Sequence, residues 1–221
     1  MTELLDGIEA VLYDFGGVFT TSPFDEVERA GEEQKLPAGR LLEIVFGPYH
    51  EDTDHPWHRL ERGEISLLEA RDGILELGRR EGVDSDPLQL LARMSEDGGV
   101  RESMVERALC IHRTGFPTAL VTNNVAEFRE RWKTMIPTEE LFDVIVDSSE
   151  VGLRKPDSAI YELALERIGG VAPESALFLD DHPNNVRAAE RLGIRGLLVT
   201  AELAPTLRVL DALIERGPRT N

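Results

Sequence analysis

Five short apolar runs with strand chemistry punctuate the chain: Ala10–Phe15, Thr118–Thr122, Val144–Val146, Ala176–Leu179 and Gly196–Thr200. Most are apolar at odd and even positions alike, the pattern of parallel strands covered by helices on both faces. Helical periodicity fills the spaces between the last four. It runs over Phe128–Met135, over Ala159–Ile168 ahead of Gly169-Gly170, and over Val186–Leu192 ahead of Gly193, while Leu203–Ile214 reads as a closing helix. Glycine stands where a left-handed C-terminal residue is favoured. Strands alternating with helices predict a doubly wound, Rossmann-like α/β sheet.

The spacing breaks once. About a hundred residues separate the first two strands, although a crossover needs only about a dozen. The intervening chain has helical periodicity and no convincing strand: Phe24–Gln34, Arg40–Phe46, Leu67–Arg80 and Pro87–Met94, the third opened by a capping box of Ser66 and Glu69. Residues 22–99 therefore read as an all-helical domain seated over a core built from 1–21 and 100–221. Val105–His112, stopped by Gly115, is the helix that returns to the core. A lid over the sheet is implied.

Charge narrows the partners. With 24 basic and 42 acidic residues the 221-residue chain carries a net charge of -18, which repels nucleic acid and anionic membranes. An anionic small molecule stays open, because a divalent cation and aimed backbone amides can reverse the field inside a pocket. Cys110 is the single cysteine, so no intrachain disulfide forms; its place in a helical pattern predicts a core thiol in a reducing compartment. The N-terminus lacks a basic start and an apolar signal core, and no apolar run approaches the roughly 20 residues that span a bilayer. A cytoplasmic protein is expected.

The strand ends carry the candidate chemistry, since ligands of open α/β sheets bind at the carboxyl ends of the strands. The first run, VLYDFGGVFT, delivers Asp14 onto Gly16-Gly17, and glycines allow backbone to approach a ligand closely. The second ends in Thr122, Asn123 and Asn124, able to hydrogen-bond phosphate-like oxygens. VGLRKPD follows the third, placing Lys155 before Pro156 and a helix N-capped by Asp157. The fourth ends in Asp180 and Asp181, a pair that repels itself unless a cation sits between or beside it. Singly, each has an ordinary explanation: a turn, a solvated lysine, a helix cap. Jointly they put a nucleophile, donors, a cation and a metal-binding pair on one edge.

The order DFGGV, LVTNN, GLRKPD, FLDDHPNNV resembles the four motifs of the haloacid dehalogenase-like (HAD) hydrolase superfamily. The stretch WHRLERGEIS, Trp57 to Ser66, is similar to part of that superfamily's helical cap. The D-x-G-G-V form is similar to a branch holding sugar-phosphate phosphatases and the N-terminal phosphatase domain of soluble epoxide hydrolases. The resemblance implies a Mg2+-dependent phosphatase of a small phosphorylated metabolite. It implies Asp14 as nucleophile, with Mg2+ held by Asp14, the Gly16 carbonyl and Asp181, and with Asp180 beside it. Thr122 and Asn123 would hold the phosphoryl oxygens, and Lys155 would link nucleophile and phosphoryl group.

One position departs from the pattern. Phosphatases of this superfamily usually carry a second Asp two residues after the nucleophile as general acid and base, where this chain has Gly16. Its loss implies a slow enzyme, a substrate with a good leaving group, or a substitute acid from the cap. The segment His50–His58, with three histidines and three acids, is the nearest source, although it reads first as a solvated loop. Three readings compete: the phosphatase; a 2-haloacid dehalogenase, whose D-x-Y-G-T form FGG does not match; and a non-catalytic or regulatory relative that keeps the pocket. Which of Phe24, Phe46, Tyr49, Trp57 and His58 face the pocket, and the oligomeric state, are not legible in periodicity.

Overall fold

The computed structural model describes residues 2–93 and 99–218. Five strands, β1 (Ala10–Tyr13), β2 (Thr118–Thr122), β3 (Val144–Asp147), β4 (Ala176–Asp180) and β5 (Arg195–Leu198), form one sheet in the order β3-β2-β1-β4-β5. All pairings are parallel, with Leu12 opposite Ala119 on one side and Phe178 on the other. The chain therefore reverses its winding at β1, and the carboxyl ends of β1, β2 and β4 lie side by side at that switch point. Odd and even positions of β1 feed two apolar layers: Val11 and Tyr13 join Met104, Ile111 and Leu210, while Ala10 and Leu12 join Ile160, Tyr161 and Phe178. Two strands depart from the doubly buried pattern: β3, where Val144 and Ile145 are half-buried, and, more fully, β5. The latter is an edge strand with Leu198 41% exposed, and it begins earlier and ends earlier than its apolar run.

Between β1 and the helix that returns the chain to the core at Glu102–Arg113 lie five helices and no strand among the described residues: Pro23–Glu33, Arg40–Phe46, Pro56–Glu61, Leu67–Glu81 and Pro87–Leu91. They enclose a separate apolar cluster around Val27, Leu41, Phe46, Leu60 and Ile74, to which core residue Val125 adds its side chain. The capping box at Ser66 and Glu69 is formed. The end expected at Met94 falls outside the described residues.

Several expectations need correction. Pro56–Glu61 is a helix inside a stretch read partly as solvated loop, started by Pro56 at its first position and capped by His55, whose Nδ1 accepts from the Trp57 N–H at 3.2 Å. The periodic run 128–135 divides into a 3-10 turn, Ala126–Phe128, and a short helix, Arg129–Lys133. The returning helix is longer than its periodic core, Glu102–Arg113. It buries Met104, Val105, Ala108 and Ile111; Cys110 falls off that stripe and is exposed, not a core thiol. Among the described residues no helix is long and apolar enough to cross a membrane.

Candidate active site

Asp14 is the first residue past β1, its N–H donating to Leu179 O on β4 at 2.8 Å. This ladder bond fixes the carboxylate at the sheet edge, where it is 8% exposed. Lys155 comes from the loop after β3 and is 1% exposed, with Nζ at 2.7 Å from Asp14 Oδ1 and 2.7 Å from Asp180 Oδ2. Its loop is held by Asn123: Oδ1 accepts the Lys155 N–H at 2.8 Å and Nδ2 donates to Lys155 O at 2.9 Å. The Asn123 side chain thus supports the lysine.

The two acids after β4 differ. Asp180 is fully buried and accepts from Lys155 Nζ, from the His182 N–H at 2.7 Å and from Asn185 Nδ2 at 3.1 Å. Asp181 is half-buried, with the Ser22 hydroxyl on its carboxylate. Neither caps the following helix; His182 does, its Nδ1 accepting the Asn184 N–H at 3.3 Å.

Asp14, Asp180 and Asp181 each bring a ligand atom within 4.8 Å of the others. Burial pushes Asp14 up to about 7, opposed by Lys155 and assisted by Asp180. Burial, then Asp180 and Asp14, raise Asp181 well above the usual carboxylate range. Burial pulls the Lys155 ammonium down, yet its two carboxylate partners outweigh it and the net shift is upward. One ammonium paired with two of three crowded carboxylates leaves an excess of negative charge. Hard oxygen donors at this spacing fit a divalent cation of the Mg2+ type.

Gly17 has φ 69°, and a Cβ there would fall 1.9 Å from Asp181 Oδ2. Only glycine lets the turn pass so close. Gly16 is different: its Cβ would meet only Pro23 Cδ, at 3.7 Å. The backbone there does not require glycine, so the missing carboxylate is a chemical departure.

Asp14, Thr122, Asn123, Lys155 and Asp181 open onto a cavity of about 390 Å3 whose far wall comes from the helical insert. Phe24, Phe46, Tyr49 and Trp57 line it; among the described residues His50, His55 and His58 do not. His58 is fully buried, with Nδ1 accepting the Thr53 N–H at 3.1 Å. A second cavity of about 470 Å3, which His50 lines, meets the other side of Asp181. Phe24, Tyr49 and His182 separate the two, with Tyr49 and His182 ring centroids 4.7 Å apart.

Sequence reasoning missed Arg154. It is fully buried, donates from Nε to Glu61 Oε2 at 2.8 Å, and lies 5.5 Å from the Tyr49 ring centroid. An arginine beside the lysine in GLRKPD and a glutamate in RLERGEIS were visible, but their pairing needed the fold.

A parallel sheet with a lysine-bridged carboxylate at its switch point, roofed by an inserted helical unit, defines a doubly wound α/β protein with a helical cap. The chain belongs to the haloacid dehalogenase-like hydrolases, whose family model matches residues 8–193. It is 38% identical over 232 residues to Protein CbbY of Cereibacter sphaeroides, covering 95% of this chain and 94% of that one. It is 28% identical over 204 residues to the sesquiterpene phosphatase astK of Aspergillus oryzae, covering 91% and 94%. Of other curated relatives it spans only a part, 19% in one case and 38% in another. A solved HAD-like family hydrolase from Porphyromonas gingivalis has the same fold, with TM-score 0.61 at 22% identity over 92% of this chain and 98% of that one.

Proposed function

We propose that this hydrolase is a divalent-cation-dependent phosphatase of a small phosphorylated metabolite, with Asp14 as nucleophile. One observation carries the reading: Lys155 Nζ sits 2.7 Å from both Asp14 and Asp180, beside the third carboxylate of Asp181. A carboxylate kept beside an ammonium and aimed into a cavity suits attack on phosphorus. An Asp14 oxygen forms the new bond to phosphorus, and the ester P–O bond breaks with its electron pair leaving on the alcohol oxygen, which takes a proton from water. Water then attacks the phosphorus of the aspartyl-phosphate, releasing orthophosphate and restoring the carboxylate.

Lys155 and the Thr122 hydroxyl would hold the phosphoryl oxygens during transfer, with the Asn123 amide fixing the Lys155 loop. Asp14, Asp181 and the Gly16 carbonyl would hold Mg2+, with Asp180 beside them. The cation would neutralise phosphoryl charge and keep Asp14 ionised. Residues 22–99 would act as the lid that excludes water while Asp14 is attacking.

Phosphate release from a substrate panel tests this, with and without Mg2+ and with Asp14→Asn. Release should need the metal and fall to background in the variant. Metal-independent release, or an active Asp14→Asn protein, would sink the reading.

A further inference from the structure

Beyond the reacting groups, the cavity is walled mostly by rings and alkyl side chains, with the exposed Arg131 as the charged exception on the core side. Phe15, Phe128 and Met135 come from the core; Phe46, Trp57 and Leu88 come from the helical insert. Polar side chains on these walls are largely committed. Glu61 accepts from Arg154 Nε at 2.8 Å and from Trp57 Nε1 at 2.8 Å, Thr20 donates to Thr21 O at 3.1 Å, and Asn124 Oδ1 accepts the Val125 N–H at 2.8 Å. A polyhydroxylated body would lose water from each hydroxyl and find few partners in return. An alkyl, prenyl or aryl body loses nothing polar and gains contact with the rings and alkyl groups of both walls. The volume of about 390 Å3 lies within the range of pockets that enclose a small organic ligand.

We propose that the substrate is a phosphomonoester of an apolar alcohol, its phosphoryl group at Asp14 and Lys155 and its hydrocarbon body between the Phe128–Met135 wall and the Trp57–Leu88 wall. The assignment rests on the phosphatase reading for the position of the phosphoryl end. Specificity then comes from burial rather than from hydrogen bonds, so affinity tracks the apolar area of the alcohol. The same walls reject sugar phosphates through unpaired hydroxyls.

The test uses the full chain with Mg2+ and a series of alkylphosphonates from ethyl to octyl, whose C–P bond is not hydrolysed, with affinity read by calorimetry. Kd should fall about three- to fourfold for each added methylene, and a hexitol phosphonate should bind more weakly than hexylphosphonate. Leu88→Gln and, separately, Met135→Gln should each shrink the octyl-to-ethyl affinity ratio by about tenfold. A flat series, or tighter binding of the hexitol compound, overturns the assignment. Phosphate release from hexyl phosphate and from a hexose phosphate distinguishes the two failures. A sloped series without release from either sinks the phosphatase reading alone, whereas release from the hexose ester with a flat series sinks the apolar-body assignment alone.

Discussion

Arg154 Nε lies 2.8 Å from Glu61 Oε2, a pair separated by 93 positions in sequence, with the arginine fully buried and the glutamate 3% exposed. Arg154 immediately precedes Lys155, and Glu61 ends a helix of the insert, so the pair ties the roof to the loop that carries the site's ammonium. The Asp52 carboxylate adds a longer contact to Arg154 at 3.5 Å.

Breaking this pair from one side leaves an arginine in a dry interior. Glu61→Leu should lower unfolding free energy by about 3 kcal/mol, the lower end of the usual cost because Asp52 remains. Adding Arg154→Met should recover most of that loss. Urea denaturation of both variants decides it; a double variant no more stable than the single one would mean that the ion pair is not what Glu61 supplies.

The space beside Gly16 allows the missing acid to be restored. Its Cβ would meet only Pro23 Cδ at 3.7 Å, and general acid-base help is worth about 100- to 10,000-fold. Gly16→Asp should therefore raise turnover on a poor-leaving-group alkyl phosphate by about 100-fold and on an aryl phosphate by less. Equal rates before and after substitution would show that another group already delivers the proton.

Gly17 tolerates no such change. A Cβ 1.9 Å from Asp181 Oδ2 must push that carboxylate or the turn aside, at a φ of 69° that side chains also resist. Gly17→Ala should weaken Mg2+ binding at least tenfold by calorimetry, whereas Gly16→Ala should unfold within about 1 kcal/mol of the parent. Unchanged Mg2+ affinity in Gly17→Ala would exclude Asp181 as a ligand.

Buried histidines set a pH dependence. Burial lowers His55 to about 4, and burial followed by repulsion from Arg154 lowers His58 further; burial lowers His182 as well. Below about 6.5 the unfolded chain binds protons at these positions and the folded chain does not. These histidines should therefore make stability fall as pH drops from about 6.5 toward 4, by at most about 1.4 kcal/mol per pH unit each, partly offset by Asp14 and Asp181, whose raised carboxyls take up protons in the folded state first. Urea midpoints across this window measure it, and His58→Asn should flatten the slope; an identical slope in that variant would remove His58 from the account.

How much of this was readable without coordinates follows from how each feature is encoded. Sheet strands and most helices of ten residues or more are written in local periodicity, and so were visible. The short helix Pro56–Glu61 was not, because one and a half turns give no period and its order comes from Trp57, Leu60 and Glu61 docking. His58 looked like part of a solvated loop although its ring is fully buried, since burial of a polar residue depends on what folds over it. Cys110 sits one position off the buried stripe of its helix, a distinction that composition cannot make.

The sequence by itself determined the parallel α/β core, the helical insertion after the first strand, and the supply of carboxylates, hydroxyl and lysine at strand ends. These are local properties of spacing and residue type. Only the tertiary structure decided that Lys155 bridges Asp14 and Asp180, that Asn123 serves the lysine's loop, that Gly17 must stay bare while Gly16 need not, and that aromatic side chains from the core and from the inserted helices enclose one cavity. Each of these depends on distances between segments tens of residues apart, fixed by the register of the sheet and by how the insert seats upon it.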